Sequence, residues 1–257
     1  MVSSTHLLAN LSWKTVGKSK YEVAVLPWGA TEPHNYHLPF CTDVIESDYI
    51  ASESARRANE HGAPIIVLPT IPFGVNTGQL DLNMTINMNP STQAMVLRDI
   101  VDSLSRHGIP KMAILNSHGG NDFKQMIREI QPDYPNMFLC TVNWWQIVDQ
   151  SSYFDEKDDH AGEMETSVML AIAPNLVLPL NEAGWGKARF FKVKGLREKW
   201  VWAQRQWTKV TDDTGVGDPR KATADKGRKY LDAVTSKIAE FLAELARADI
   251  RDLYENS

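Results

Sequence analysis

Acidic and imidazole side chains gather at three places along the chain, in spacings that suit a divalent ion. In the segment GATEPHNYHLPFCTD, Glu32 and His34 stand two residues apart. In extended backbone both side chains then leave the same face and can meet one ion. Asp43 arrives from the start of what reads as the following helix, and His37 lies between. Farther on, Asn116, His118 and Asn121 fall in NSHGGN, and Asp159, His160, Glu163 and Glu165 in DDHAGEMETS. Carboxylates mixed with imidazoles, and no thiolate among them, suit zinc, manganese or iron(II) in a catalytic site. Such an ion activates water for attack on a carbonyl. An aspartate standing between two histidine-bearing groups can also bridge two ions.

One such pair alone would read as loop side chains satisfying each other. Five or more on successive loops read as a ligand set. The glycines of NSHGGN would also suit a phosphate-cradling turn, but the GxGxxG spacing and the P-loop Lys-Ser/Thr pair are missing, which argues against nucleotide binding. Instead they let the backbone approach a substrate closely and offer N–H groups to an oxyanion. His160 and Glu165 are five apart and face one cavity only if the turn at Ala161 and Gly162 bends them inward. Glu163 reads as an acid complementing a helix N-terminus. His6, His61 and His107 have no acidic company at ligand spacing and read as surface or helix-end residues.

The elements that must position these groups alternate. Apolar runs at 23–26, 65–68, 112–115 and 137–142 read as buried strands, each closed by a polar or Pro/Gly-rich loop. Helical spacing follows at 43–61, 90–105, 122–130, 161–173 and, with charges on its outer face, 222–253. Strands alternating with helices predict an α/β fold with a mainly parallel sheet covered on both faces. In such sheets ligands bind beyond the carboxyl ends of the strands, where the polar loops gather. Residues 174–218, with tryptophans at 185, 200, 202 and 207, fit no regular element and read as an insertion or an oligomer contact.

Bulk properties narrow the function. The chain has 257 residues, 43% of them hydrophobic and 23% charged, which fits one globular domain over 1–257 with a sizeable core. A net charge of −5 with scattered Lys and Arg lacks the basic footprint of a nucleic-acid binder. The two cysteines, Cys41 and Cys140, form no CxxC pair, which fits a reducing cytoplasm. No basic segment followed by an apolar run opens the chain, and no stretch approaches the ~20 apolar residues of a membrane span. The expectation is a cytoplasmic, unprocessed protein acting on a small molecule, without nucleic-acid or membrane partners.

LPWGATEPHNYHLPFCTD, NSHGGN, DDHAGEMETS and GVGDPRKAT, in this order across residues 26–223, together resemble the creatininase (creatinine amidohydrolase) family. The resemblance implies a three-layer α/β/α fold, a centre of one or two divalent ions and a homo-oligomer, commonly a hexamer. By position it makes Glu32, His34, Asp43 and His118 metal ligands, with Asp43 bridging, Glu165 the late glutamate, and His160 the acid–base residue. Creatininase proper has a glutamate where this chain has Gly120 and a tryptophan where it has Glu156, so the resemblance implies an amidohydrolase with another substrate. Glu165 then completes the coordination. A cyclic amide or formamide is the expected substrate. A ring-opening hydrolase of an oxidised cyclitol or sugar, or a non-catalytic metal-binding relative, is the alternative.

Overall fold

In the computed structural model, which describes residues 6–255, four parallel strands lie in the order β2-β1-β3-β4. They are β1 (Val23–Trp28), β2 (Ile65–Val67), β3 (Lys111–Asn116) and β4 (Phe138–Asn143). Residues at every position of the first three are buried, because helices cover both faces of the sheet. Among the described residues eight α-helical segments accompany the strands: α1 (Trp13–Val16), α2 (Thr42–Glu60), α3 (Pro90–Arg106), α4 (Phe123–Ile130), α5 (Glu163–Ile172), α6 (Lys194–Arg197), α7 (Trp207–Val210) and α8 (Ala224–Arg247).

The pleat sorts alternate residues into two cores. Val23, Val25, Ile65, Val67, Ala113 and Leu115 pack on one face against Ile50, Ala51 and Ala55 of α2, Val168 of α5, and Tyr230, Val234 and Ile238 of α8. Ala24, Leu26, Trp28, Met112 and Ile114 face the other way, onto Leu97 and Val101 of α3 and Phe123 and Met126 of α4. The result is the three-layer α/β/α arrangement with a wholly parallel sheet. Burying a side chain such as Leu26 or Trp28 contributes about 1.5–3 kcal/mol. Local signals start the helices: Pro90 is the first residue of α3, Asp122 accepts from the Lys124 amide ahead of α4, and Thr223 accepts from Lys226 ahead of α8.

Three expectations shift. The last helix stops at Arg247, not near 253, because the buried Lys111 ammonium donates to the Ala246 carbonyl (2.9 Å) and Asp249 accepts from the Arg251 amide (3.0 Å) in a turn. The fourth strand starts one residue later than expected and runs on to Asn143. His6 is buried, not a surface residue: its carbonyl accepts from the Val67 amide beside β2 and its Nε2 lies 3.3 Å from Ser52 Oγ. Among the described residues no helix is long and apolar enough to cross a membrane.

Gly29, just past β1, is where the sheet meets the N-terminus of α2. A Cβ there would lie 2.7 Å from the Val44 amide nitrogen and 2.8 Å from the Asp43 carbonyl carbon. Only glycine lets that helix start against the strand end. Gly29→Ala is expected to lower stability by about 1–3 kcal/mol through overpacking, read as a reduced urea midpoint. Because the collision is with the backbone of Asp43, metal uptake is expected to fall with it.

Candidate metal centre

The loops after β1 and β3, the start of α2 and the turn into α5 meet at the carboxyl end of the sheet. β1 and β3 are neighbours there, in register from Val23 with Lys111 to Trp28 with Asn116, so the chain just beyond each brings Glu32 and His118 together. His118 Nδ1 lies 3.0 Å from Glu32 Oε1 and 3.1 Å from Asp43 Oδ2. His34 Nε2 lies 3.1 Å from the other oxygen, Asp43 Oδ1. Donor atoms of Glu32, Asp43 and His118 fall within 4.8 Å of one another, as do those of His34, Asp43 and Glu165, and those of Glu32, His34 and His160. Two of these groups share Asp43 and reach its opposite oxygens. Ligand atoms about 2.1 Å from an ion, at tetrahedral or octahedral angles, stand about 3.0–3.4 Å apart, and the contacts at Asp43 match that spacing.

Main-chain carbonyls orient all three histidines. His34 Nδ1 lies 3.0 Å from the Glu32 carbonyl, His118 Nε2 3.0 Å from the Val75 carbonyl, and His160 Nε2 3.0 Å from the Pro33 carbonyl. A carbonyl only accepts, so each of these nitrogens carries a proton and the other one faces the carboxylates. Asn116 steadies the β3 loop by accepting from the His118 amide (3.1 Å) and donating to its carbonyl (3.0 Å). Asn121 donates to Asn116 and accepts from Gln93 and the Val75 amide. Both asparagines are thus committed to the loop, which leaves the glycine N–H groups for a ligand.

The turn into α5 bends as its spacing requires. Ala161 takes a left-handed φ of 51°, a conformation that costs an alanine about 1–2 kcal/mol. Its N–H donates to Glu165. His160 pairs antiparallel with Val216, which ties GVGDPRKAT to the site. Its ring lies between His34, at 4.3 Å centroid to centroid, and Trp207, at 4.8 Å. Glu163 does begin α5, but it is fully buried, accepts from the Asp155 and Glu156 amides and pairs with Lys226. His37 stands apart, bonded to Thr166 Oγ1 at 2.8 Å. Glu156 is occupied by Lys221.

Gly120 has no room for a side chain. A Cβ there would meet the Val75 carbonyl at 2.2 Å and His118 Nε2 at 2.4 Å, and Glu165 approaches from α5 instead.

Four residues of the site are not assigned to it by the sequence. Gln79, in the 3-10 turn Thr77–Gln79, donates to Glu32. Trp207 covers His160. Asp158 accepts from the Met164 amide at 2.8 Å, and burial, with Glu163 and Asp159 nearby, pushes its carboxyl up to about 6. Glu46, one turn beyond Asp43, is buried with neither oxygen partnered. Burial, reinforced by Glu165, Asp43 and Asp158, holds its carboxyl protonated well above the usual range. Alternation and ligand spacing signal none of the four; Glu46 would have needed the helical step from Asp43.

A cavity of about 570 Å³ opens onto these groups. Its walls include Gly119, Gly120, Lys124, Trp145, Trp202 and Arg205, so residues 174–218 supply part of the mouth.

Burial works to lower His34, but the Asp43 charge and hydrogen bond, with Glu165 and Glu32, raise it to about 10. His118 is raised well above 6.5 against burial by Glu32 and Asp43. Burial lifts Glu165 to about 8, with Asp43 and Asp158 adding to it and His34 opposing. Divalent ions must displace these protons. Asp43 Oδ2, buried and without hydrogen-bond geometry to any neighbour, is an acceptor that such an ion satisfies, so the donor set fits.

The sequence model of the family described as creatinine amidohydrolase matches residues 9–242. A provisionally named creatinine amidohydrolase from Bacteroides fragilis has a crystal structure that superposes with a TM-score of 0.92 at 44% identity, over 98% of this chain and 99% of that one. A mycofactocin precursor peptide peptidase of Mycobacterium tuberculosis is 25% identical over 218 residues, 82% of this chain and 80% of its own. A solved creatininase in a manganese form shares the fold at TM-score 0.79 and 22% identity, covering 95% of this chain and 99% of its own; a zinc–zinc type has been solved as well.

A raised histidine pKa stabilises the fold below about 6.5 and ceases to do so as pH climbs through its folded value. The metal-free protein is therefore expected to lose thermal stability between pH 6.5 and 10. Manganese affinity should rise with pH across 6–9, and loading at pH 7 in weak buffer should release more than one proton per chain, measured with an indicator dye.

Proposed function

This chain belongs to the creatininase family, and from that premise we propose that it is a metal-dependent hydrolase of a C–N bond in a small molecule, a cyclic amide or a formamide. The whole chain acts as one hydrolase domain, as a homo-oligomer in the cytoplasm. The observation that carries the reading is Asp43, whose two oxygens serve two separate groups of donors. Glu32, Asp43 and His118 hold one divalent ion, and His34, Asp43 and Glu165 a second, of zinc, manganese or iron(II). Manganese and zinc forms of related structures support the choice of metals.

When bound, the ions lower the pKa of water and polarise a carbonyl. The chain's own groups do the rest. His160 Nε2 keeps its proton on the Pro33 carbonyl, so Nδ1 is the basic nitrogen, 3.9 Å from Glu32 Oε1. Burial, and then the charge of His34, hold the ring below its ordinary pKa, which keeps Nδ1 free to accept. It takes the proton from the attacking water and returns it to the leaving nitrogen. Tilted packing against Trp207, at 4.8 Å between ring centroids, fixes the ring for both transfers. The Gly119 and Gly120 N–H groups receive the developing oxyanion.

A second reading has its own support. The cavity of about 570 Å³ admits a substrate far larger than a single small ring, and the mycobacterial relative is named a peptidase. A short peptide amide at the same centre is that alternative.

Asp43→Ala is expected to lose both ions and all hydrolysis. His160→Ala should keep its ions while turnover falls about 10²–10⁴-fold. Elemental analysis, with rates on a panel of cyclic amides, formamides and short peptides, checks both; full activity in a metal-free Asp43→Ala protein would sink the proposal.

A further inference from the structure

Gln79 is a buried amide whose hydrogen bonding is half complete. Its Nε2 donates to Glu32 Oε2, while its Oε1 is buried with no partner. A carboxylate oxygen only accepts, so the amide has to present its nitrogen there. Glu32 Oε1 is the oxygen that faces His118 Nδ1 at 3.0 Å and lies 3.9 Å from His160 Nδ1. The two oxygens of Glu32 are therefore divided, one among the metal donors and the other on Gln79.

We propose that Gln79 is a positioning residue for the metal centre: by occupying Glu32 Oε2 it makes Glu32 a one-oxygen ligand, aimed through Oε1 at the ion shared with Asp43 and His118. Without that donor the carboxylate is free to rotate and offer either oxygen or both. The unpartnered Oε1 fits this role, because a buried acceptor with nothing to accept does not help the fold, and proteins keep such groups where function needs them. The turn that carries Gln79 is closed by its own main chain, the Gln79 backbone N–H donating to the Asn76 carbonyl (2.9 Å), and is held from outside the centre where Gln206 Nε2 donates to Asp81, two residues beyond Gln79 (3.0 Å). Residues 174–218 thus brace the turn that orients a ligand.

This inference rests on the two-ion reading above, and its test separates the two. Apo-protein is titrated with Mn(II) against a chelating indicator, first unaltered, then as Glu165→Gln to isolate the ion held by Glu32, Asp43 and His118. Gln79→Met and Gln79→Glu are each added to that background. Both should weaken the remaining ion about 10–100-fold, the range typical when a partner of a metal ligand is lost. Methionine removes the donor to Glu32 Oε2 together with the unpartnered Gln79 Oε1, so the two effects on folding oppose each other and the metal-free melting temperature of Gln79→Met should shift by only about 2–4 °C. Unchanged Mn(II) affinity in both variants overturns the role of Gln79, as does a loss of affinity confined to variants whose metal-free form is already unfolded at the titration temperature. Failure of the unaltered protein to bind any Mn(II) would instead overturn the two-ion reading, and this inference with it.

Discussion

The arrangement depends on burying several carboxyl groups beside one another. Glu32, Asp43 and Glu46 lie in the interior with half-buried Glu165 and Asp158 close by, and ionised carboxylates brought so close repel strongly at low dielectric. Three remedies operate together. Asp43 and Glu32 stay ionised against protonated histidines, Glu46 and Glu165 retain protons near neutral pH, and the remaining demand is for cations. A fold that only needed to be stable would put apolar side chains here.

The scaffold answers this constraint through its strand order. β1 and β3 are adjacent although β2 lies between them in sequence, because α2 crosses one face of the sheet and α3 the other. The crevice between their carboxyl ends is where the chain turns in opposite directions. Glu32 and His118 flank it, and α2 and α5 bring Asp43 and Glu165 over one side.

Much of this was legible beforehand. Alternating apolar runs mark the strands because both sheet faces are buried, and the residues of three loops gather because parallel strands end on one side. What escaped were contacts without periodicity. Gln79 and Trp207 come from punctuated or Trp-rich stretches in which spacing carries no information, and nothing local to His6 records that it packs beside an edge strand. The end of α8 was misplaced because charge alternation runs on past Arg247, whereas the stop is set by Lys111, distant in sequence. Glu163 has the composition of an exposed helix-start acid, and only the approach of Lys226 makes it an interior ion pair.

The histidines lean on carbonyls of Glu32, Val75 and Pro33, which belong to the backbone and so survive any substitution at those positions. Apart from Trp207, which packs on His160, and Arg205, which packs on Trp207, cavity-wall side chains such as Lys124 and Trp202 make no hydrogen bond to the rings. Selection can therefore rewrite the walls residue by residue while the imidazole geometry is inherited unchanged. That modularity gives a physical reason why one scaffold serves relatives named for a cyclic metabolite and for a peptide.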